Sequence, residues 1–149
     1  MTPEHYEFTQ HNFQKLYIFQ SIGKRTVVKA VQFSLERNGL YNLGLADFEN
    51  GKLRFDQFTA NDDAWKVLNT VAAITLNFSE NRPEARILIR ATEPKRQQLY
   101  NRIFQSRINL VQEAFEVEGI LQYPQIVSVP FDPEKQYEGF ILTRKIQET

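Results

Sequence analysis

The amino-acid sequence predicts an α+β domain. Its sheet is mainly antiparallel and twisted, begun by an N-terminal meander and extended by later strands, with two or three helices packed on one face. Three observations predict this class. Between residues 16 and 59, short runs alternate apolar and polar side chains, the period of half-buried strands. Asn38-Gly39 and Asn50-Gly51 separate these runs, and Asn-Gly suits the tight turn of a two-residue hairpin. From Ala64 to Phe78, and again after Pro94, apolar residues recur three and four apart, the spacing of amphipathic helices. A run of strands followed by mixed helices and strands is the order of an α+β fold.

Taken in order, residues 1–14 read as an extended N-terminal arm in which Tyr6 and Phe8 alternate. Leu16 to Phe19 forms a strand, Gly23-Lys24-Arg25 a turn, and Thr26 to Leu35 a second strand. In that strand Val27, Lys29, Val31, Phe33 and Leu35 share one face. Lys29 interrupts the inward set, which predicts that the first half of this strand lies near an edge. Leu40 to Phe48 returns, and Leu53 to Thr59 follows, with Leu53, Phe55 and Gln57 opposite Arg54, Asp56 and Phe58. Asn61 or Asp62 caps the first helix, because a short polar side chain satisfies a free backbone N–H there. Ala64, Leu68, Val71, Thr75 and Phe78 make its buried stripe, widened by Trp65, Ala72 and Leu76. Pro83 ends that helix.

Ile87 to Ile89 is a short strand, and Ala91-Thr92-Glu93-Pro94 turns from it into a second helix. Thr92 is its cap, and Pro94 suits the first turn, where its missing N–H is not needed. Leu99, Ile103, Tyr100 and Phe104 are its predicted buried face. Asn109 to Gln112 resembles a capping box that opens a third helix toward Phe115, ended by Gly119. Ile126 to Phe131, a turn at Asp132-Pro133, and a closing strand from Tyr137 to Lys145 complete the chain.

Composition bounds the function. The chain has 149 residues, 42% hydrophobic and 24% charged, a length and balance that predict one globular domain over 1–149. Eighteen basic and eighteen acidic residues cancel. That argues against a nucleic-acid binder that is basic overall, yet leaves room for one basic face. There is no Cys, which excludes disulfides and thiolate metal sites. No stretch reads as a secretory leader or a membrane span, so a soluble, cytoplasmic protein is expected. His5 and His11 lack carboxylate or His partners at helical ligand spacing, and no metal ligation is assigned to them.

The most informative stretch runs from Ala85 to Arg102. Two cations, Lys95 and Arg96, open a helix whose dipole favours anions there. Free backbone N–H groups and these side chains together suit a phosphate. Lys95, Gln98 and Arg102 share a face, with Tyr100 close by. The competing reading is an ordinary charged, solvated face. Asp47, Asp56, Asp62 and Asp63 lie at strand ends and a helix start, where convergence would suit Mg²⁺ and phosphoryl transfer. Their spacing does not require that they meet. No Gly-x-Ser-x-Gly, nucleophilic Cys or Gly-rich phosphate loop is present, so no catalytic residue and no cofactor are assigned. Tyr17, Phe19, Tyr41 and Phe58 fall on strands near Lys24, Arg25, Lys29 and Arg54. On an open sheet face such rings would stack on bases, or form a homodimer interface.

Several segments carry a family resemblance. These are Val31-Gln32-Phe33, Tyr41 to Gly44 with Asp47, Asn61-Asp62 with Lys66-Val67-Leu68, Thr70-Val71, Thr92 with Pro94, Arg96, Leu99-Tyr100, and Tyr137 to Lys145. Through them the chain resembles, from Tyr17 to Lys145, a bacterial domain-of-unknown-function family common in Bacteroidota. The chain departs from that family at Ala91, where Ser is usual, at the helix start, where a second Arg is usual, and at Gln57, where a second acid is usual. The resemblance implies no established activity. The meander followed by a helix is also similar, in topology alone, to whirly and Pur-type nucleic-acid binders. The expectation is a non-enzymatic binding module for a phosphate-bearing ligand such as single-stranded nucleic acid. Thr92, Lys95, Arg96, Tyr100 and Arg102 are its phosphate-site candidates, and Tyr17, Phe19 and Tyr41 its stacking candidates. The alternatives are a protein-interaction or regulatory component, as in a bacterial toxin–antitoxin or defence operon, and a metal-dependent phosphoryl-transfer enzyme.

Overall fold

The computed structural model describes residues 4–55, 60–91, 93–122 and 125–146. The strands are β1 (Phe8–His11), β2 (Leu16–Ile22), β3 (Thr26–Arg37), β4 (Leu40–Glu49), β5 (Lys52–Arg54), β6 (Arg86–Ile89), β7 (Phe115–Leu121), β8 (Val127–Pro130) and β9 (Gly139–Arg144); the helices are α1 (Ala64–Asn81) and α2 (Pro94–Val111). Hydrogen bonds join the strands in the order β1-β2-β3-β4-β6-β9-β7-β8, with β5 against β4. The class is α+β, with one parallel junction, β4 to β6, in a mostly antiparallel open sheet. The chain divides into two compact units, Met1–Ser34 with Leu43–Arg82, and Leu35–Asn42 with Pro83–Thr149.

In the first unit β2, β3 and β4 form the expected meander, whereas the strand expected from Leu53 to Thr59 is the short β5, Lys52–Arg54, and residues 56–59 lie outside the described residues. Tyr17, Phe19, Val31 and Phe33 are buried on the face that receives α1. The Phe33 ring stacks on Phe78 of α1 at 3.9 Å, and Tyr17 meets Phe33 edge-on at 5.9 Å. Such ring pairs add about 0.5–1.5 kcal/mol each beyond their area. The buried side of α1 is Val67, Thr70, Ile74, Thr75, Phe78 and Ser79. The expected stripe is therefore turned: Thr75 and Phe78 stay inside, while Trp65 is 57% exposed. Three hydroxyls tolerate burial because each bonds its own helix backbone, Thr70 to Lys66 O, Thr75 to Val71 O and Ser79 to Leu76 O.

Lys29 corrects a second expectation. It does not mark an edge, since β3 lies between β2 and β4. It points inward, fully buried, with its Nζ 2.9 Å from Oδ1 of Asp47. A buried ammonium is tolerated only when paired.

The start of α1 is also built differently. Neither Asn61 nor Asp62 caps it; Asp63 holds the N-cap position without a side-chain cap bond. Its Oδ2 instead accepts from the Tyr6 hydroxyl at 2.6 Å and from Ser21 Oγ at 2.5 Å. Asn61 Nδ2 donates to Ser21 O and Arg25 O, and Asn61 Oδ1 accepts from the Arg25 N–H. These bonds lock the β2–β3 turn to the helix start. Gly23 is required there, because a Cβ would lie 1.6 Å from Asn61 O. The arm is ordered by the same elements: β1 pairs with β2, and the Tyr6 N–H donates to Thr70 Oγ1 at 2.9 Å.

In the second unit, Leu40 to Asn42 pair in parallel with Arg86 to Leu88, and β9 lies between β6 and β7. Asn38 and Gly39 both have positive φ, as the predicted hairpin turn demands. No third helix opens at Asn109. The chain stays helical through Val111 and closes with Gln112 N–H to Ile108 O. A capping box needs a residue outside the helix, which Asn109 is not. Phe115 to Leu121 is instead a strand, and its alternating Phe115, Val117 and Gly119 against Glu116, Glu118 and Ile120 carries the period of two. Gly119 ends nothing. It lies beneath the Tyr137 ring, where a Cβ would come within 2.2 Å.

Candidate functional site

Helix α2 carries the candidate site. Its buried residues are Gln97, Asn101 and Phe104, at the four- and three-residue steps of one helical face. Phe104 stacks on Phe140 of β9 at 4.0 Å. The other two are polar anchors. Asn101 Oδ1 accepts from the Tyr137 N–H at 2.8 Å, and Asn101 Nδ2 donates to Tyr137 O at 2.9 Å. Gln97 Nε2 donates to the same carbonyl at 3.0 Å, while Gln97 Oε1 accepts from the Ala91 N–H at 3.0 Å. The predicted apolar face at Leu99 is thereby corrected: Leu99 is 42% exposed, because the amides hold the opposite side of the helix inward.

This orientation decides which side chains α2 presents. Lys95 and Arg102 are exposed and Arg96 and Arg107 half-buried; α2 carries no carboxylate. By helical geometry Lys95 and Arg102 align roughly 10 Å apart along the axis, and Arg96 and Arg107 form a second row of about 16 Å. Leu99 and Leu110, each 42% exposed, lie between the two rows. Among the described residues, Lys95, Arg96 and Arg102 pair with no carboxylate. Tyr100 is half-buried beside Arg96; burial raises its phenol above the ordinary value, and the Arg96 charge opposes that shift.

Pro94 stands at the helix start as expected, but the N-cap position belongs to Glu93, without a side-chain cap bond. Thr92, the predicted cap, lies outside the described residues, as do Asp56, Gln57 and Phe58. The first turn of α2 contains no acid, so Lys95 and Arg96 stand at the end of the helix whose dipole favours anions.

The stacking candidates are placed elsewhere. Tyr17 and Phe19 belong to the core beneath α1, not to an open face. Tyr17 donates its hydroxyl to Asn77 Oδ1 at 2.8 Å. Burial pushes its pKa up to about 12, against the lowering effect of Arg82. Since the unfolded phenol titrates near 10, the folded state keeps this proton over that interval. Stability contributed by Tyr17 is therefore present below about pH 10 and is lost as pH rises toward 12. Spectrophotometric titration should show a phenol step near pH 12, and Tyr17→Phe should remove that step. Tyr41 lies half-buried on β4, opposite Ile87 of β6.

The acids have separate tasks. Asp47 is sealed against Lys29, Asp62 is exposed 3.7 Å from Lys24, and Asp63 accepts the Tyr6 and Ser21 hydroxyls. No group of three metal-ligating side chains occurs among the described residues. A groove of ≈ 570 Å³ is lined by Glu84 and Glu116 with Arg144 and Lys145. It contains no predicted site residue, and its mixed charge favours no ligand sign. No helix among the described residues is long and apolar enough to cross a membrane.

Residues 2–145 match the model of a family of unknown function, DUF6934. The chain belongs to this family. The resemblance seen from Tyr17 to Lys145 thus extends over nearly the whole chain. No curated protein and no solved structure matches it, and the likeness to whirly and Pur-type binders carries no argument. The α2 face of this DUF6934 member, and the polar clamp that turns it outward, are properties of its own residues. Gln97 and Asn101 were the residues that sequence reasoning passed over. Their signal was two amides spaced four apart on the face of Phe104.

Proposed function

We propose that this DUF6934 protein is a non-enzymatic binding module that takes single-stranded nucleic acid on the exposed face of α2. The observation that carries this reading is charge segregation: a chain of zero net charge carries an 18-residue helix with four cations and no acid. Lys95, Arg96 and Arg102 would contact backbone phosphates, and Leu99 and Leu110 between the two rows would meet base faces. Gln98 and Asn109, both exposed, supply amide groups to base edges. A duplex hides those base faces, so single strands suit the surface better. Tyr100, half-buried beside Arg96, would join the phosphate site, and of the stacking candidates Tyr41 alone lies outside the core beneath α1.

Fluorescence anisotropy with short labelled DNA and RNA strands tests this. Binding should weaken as salt rises, since phosphate contacts release counterions. Lys95→Ala/Arg96→Ala/Arg102→Ala should reduce affinity at least tenfold and flatten the salt dependence by about 0.7 per lost contact. Absence of binding at low salt would reject the nucleic-acid reading. Binding of an acidic, apolar protein segment to the same face would then support the interaction-component alternative.

A further inference from the structure

We propose that β8 is a dimerisation edge, pairing antiparallel with β8 of a second copy of this chain about a two-fold axis. Among the described residues the strand closes one end of the hydrogen-bonded order and pairs only with β7. Its backbone direction follows from two facts. Phe131 N–H donates to Val117 O, and the register places Val129 opposite Gly119 and Val127 opposite Leu121. In an antiparallel ladder, bonded pairs alternate with non-bonded ones. Residues 127, 129 and 131 therefore turn their N–H and C=O groups toward β7. Ile126, Ser128 and Pro130 turn theirs outward. Pro130, with no N–H, occupies an outward position, where a missing donor does not weaken the sheet.

The outward groups are complementary to themselves. With Ser128 opposite Ser128 of the second copy, the two serines exchange both N–H···O bonds. Each Ile126 N–H then reaches the carbonyl of Pro130 in the other copy. Four N–H···O bonds form in all, and the Ile126 carbonyl, opposite the proline nitrogen that carries no hydrogen, is left to solvent in each copy. Side chains match as well: Val127 meets Val129 on one face, and Ile126 meets Pro130 on the other. Ile126 is 72% and Val127 43% exposed in the single chain.

Charge selects the occupant. No charged residue occurs from residue 122 to residue 131, in a chain with 24% charged residues. Sheet edges are ordinarily guarded by lysines or other charges, and this one has only its proline. A charged peptide finds no counter-charge here, whereas a second copy offers an equally uncharged strand. The axis of such a pairing stands perpendicular to the sheet, so both copies present the same face to the same side. Val129 lies opposite Gly119, Gly119 opposite Phe140, and Phe140 stacks on Phe104 of α2. The two α2 helices would therefore line one face of the joined sheet, giving a polyanion two attachment points. The dimer does not depend on the nucleic-acid reading, and its test uses no ligand.

Sedimentation velocity across a concentration series tests it. The wild-type chain should move from one-chain to two-chain mass. Ser128→Lys and Ser128→Glu place like charges opposite each other across the axis, and each should stay at one-chain mass. Ser128 makes no backbone bond to β7, so both variants should keep the wild-type circular dichroism. Mixing the two should restore the two-chain mass as a heterodimer. A wild-type chain that stays single at the highest concentration would overturn the proposal. So would variants that dimerise like wild type, or a mixture that fails to associate.

Discussion

Asp47→Asn and Lys29→Met should each lower the unfolding free energy by about 3–5 kcal/mol, the cost of leaving one member of a buried ion pair without the other. Both side chains are shut off from solvent, with Nζ 2.9 Å from Oδ1. An exposed pair such as Lys24 with Asp62 at 3.7 Å should contribute under about 1 kcal/mol by comparison. The double variant Lys29→Met/Asp47→Leu should recover most of the loss. The pair's Coulombic gain largely offsets its desolvation, and apolar replacements of similar size are often neutral or stabilising. Urea unfolding of these three variants beside the wild type, followed by circular dichroism, makes the comparison. If the single variants lose less than about 1 kcal/mol, the pair is hydrated and the burial assigned to it is wrong.

Asn101→Ala should be the next most costly change, by about 2–3 kcal/mol, because it leaves the buried Tyr137 N–H unpaired and removes one of two donors from the Tyr137 carbonyl. Gln98→Ala, one turn away on the exposed side, should stay within about 0.5 kcal/mol. The comparison separates a polar anchor from helix propensity. It also links fold to function. Without the clamp, α2 loses the restraint that turns Leu99, Lys95 and Arg102 outward, so any ligand of that face should weaken together with stability. Hydrogen exchange would report this directly, as faster exchange in α2 than in β7 or β9 in the Asn101→Ala protein.

The meander was legible because its two signals agree: period-two patterning in β2, β3 and β4, and Asn-Gly turns at Asn38 and Asn50 that adopt positive φ. Both helices were legible from their spacing, and the cations of α2 from the sequence alone. What was not legible came from polar groups satisfied in pairs. A lysine in a strand suggests an edge unless its aspartate partner is known, and Lys29 and Asp47 are 18 residues apart. Counting apolar residues misplaces the inner face of a helix when amides or hydroxyls hold it, as Gln97 and Asn101 do in α2 and Thr70 and Ser79 do in α1. The capping-box pattern at Asn109 failed because nothing before it breaks the helix. The aromatic residues Tyr17 and Phe19 went to the core, since α1 covers the face on which their strand places them.

The most direct test of the α2 assignment is an amide-resolved NMR titration of the labelled protein with a short single-stranded oligonucleotide at low salt. Shift changes concentrated between Lys95 and Leu110, and reversed by added salt, are the expected result. Shifts gathered on another element, with α2 unmoved, would contradict it.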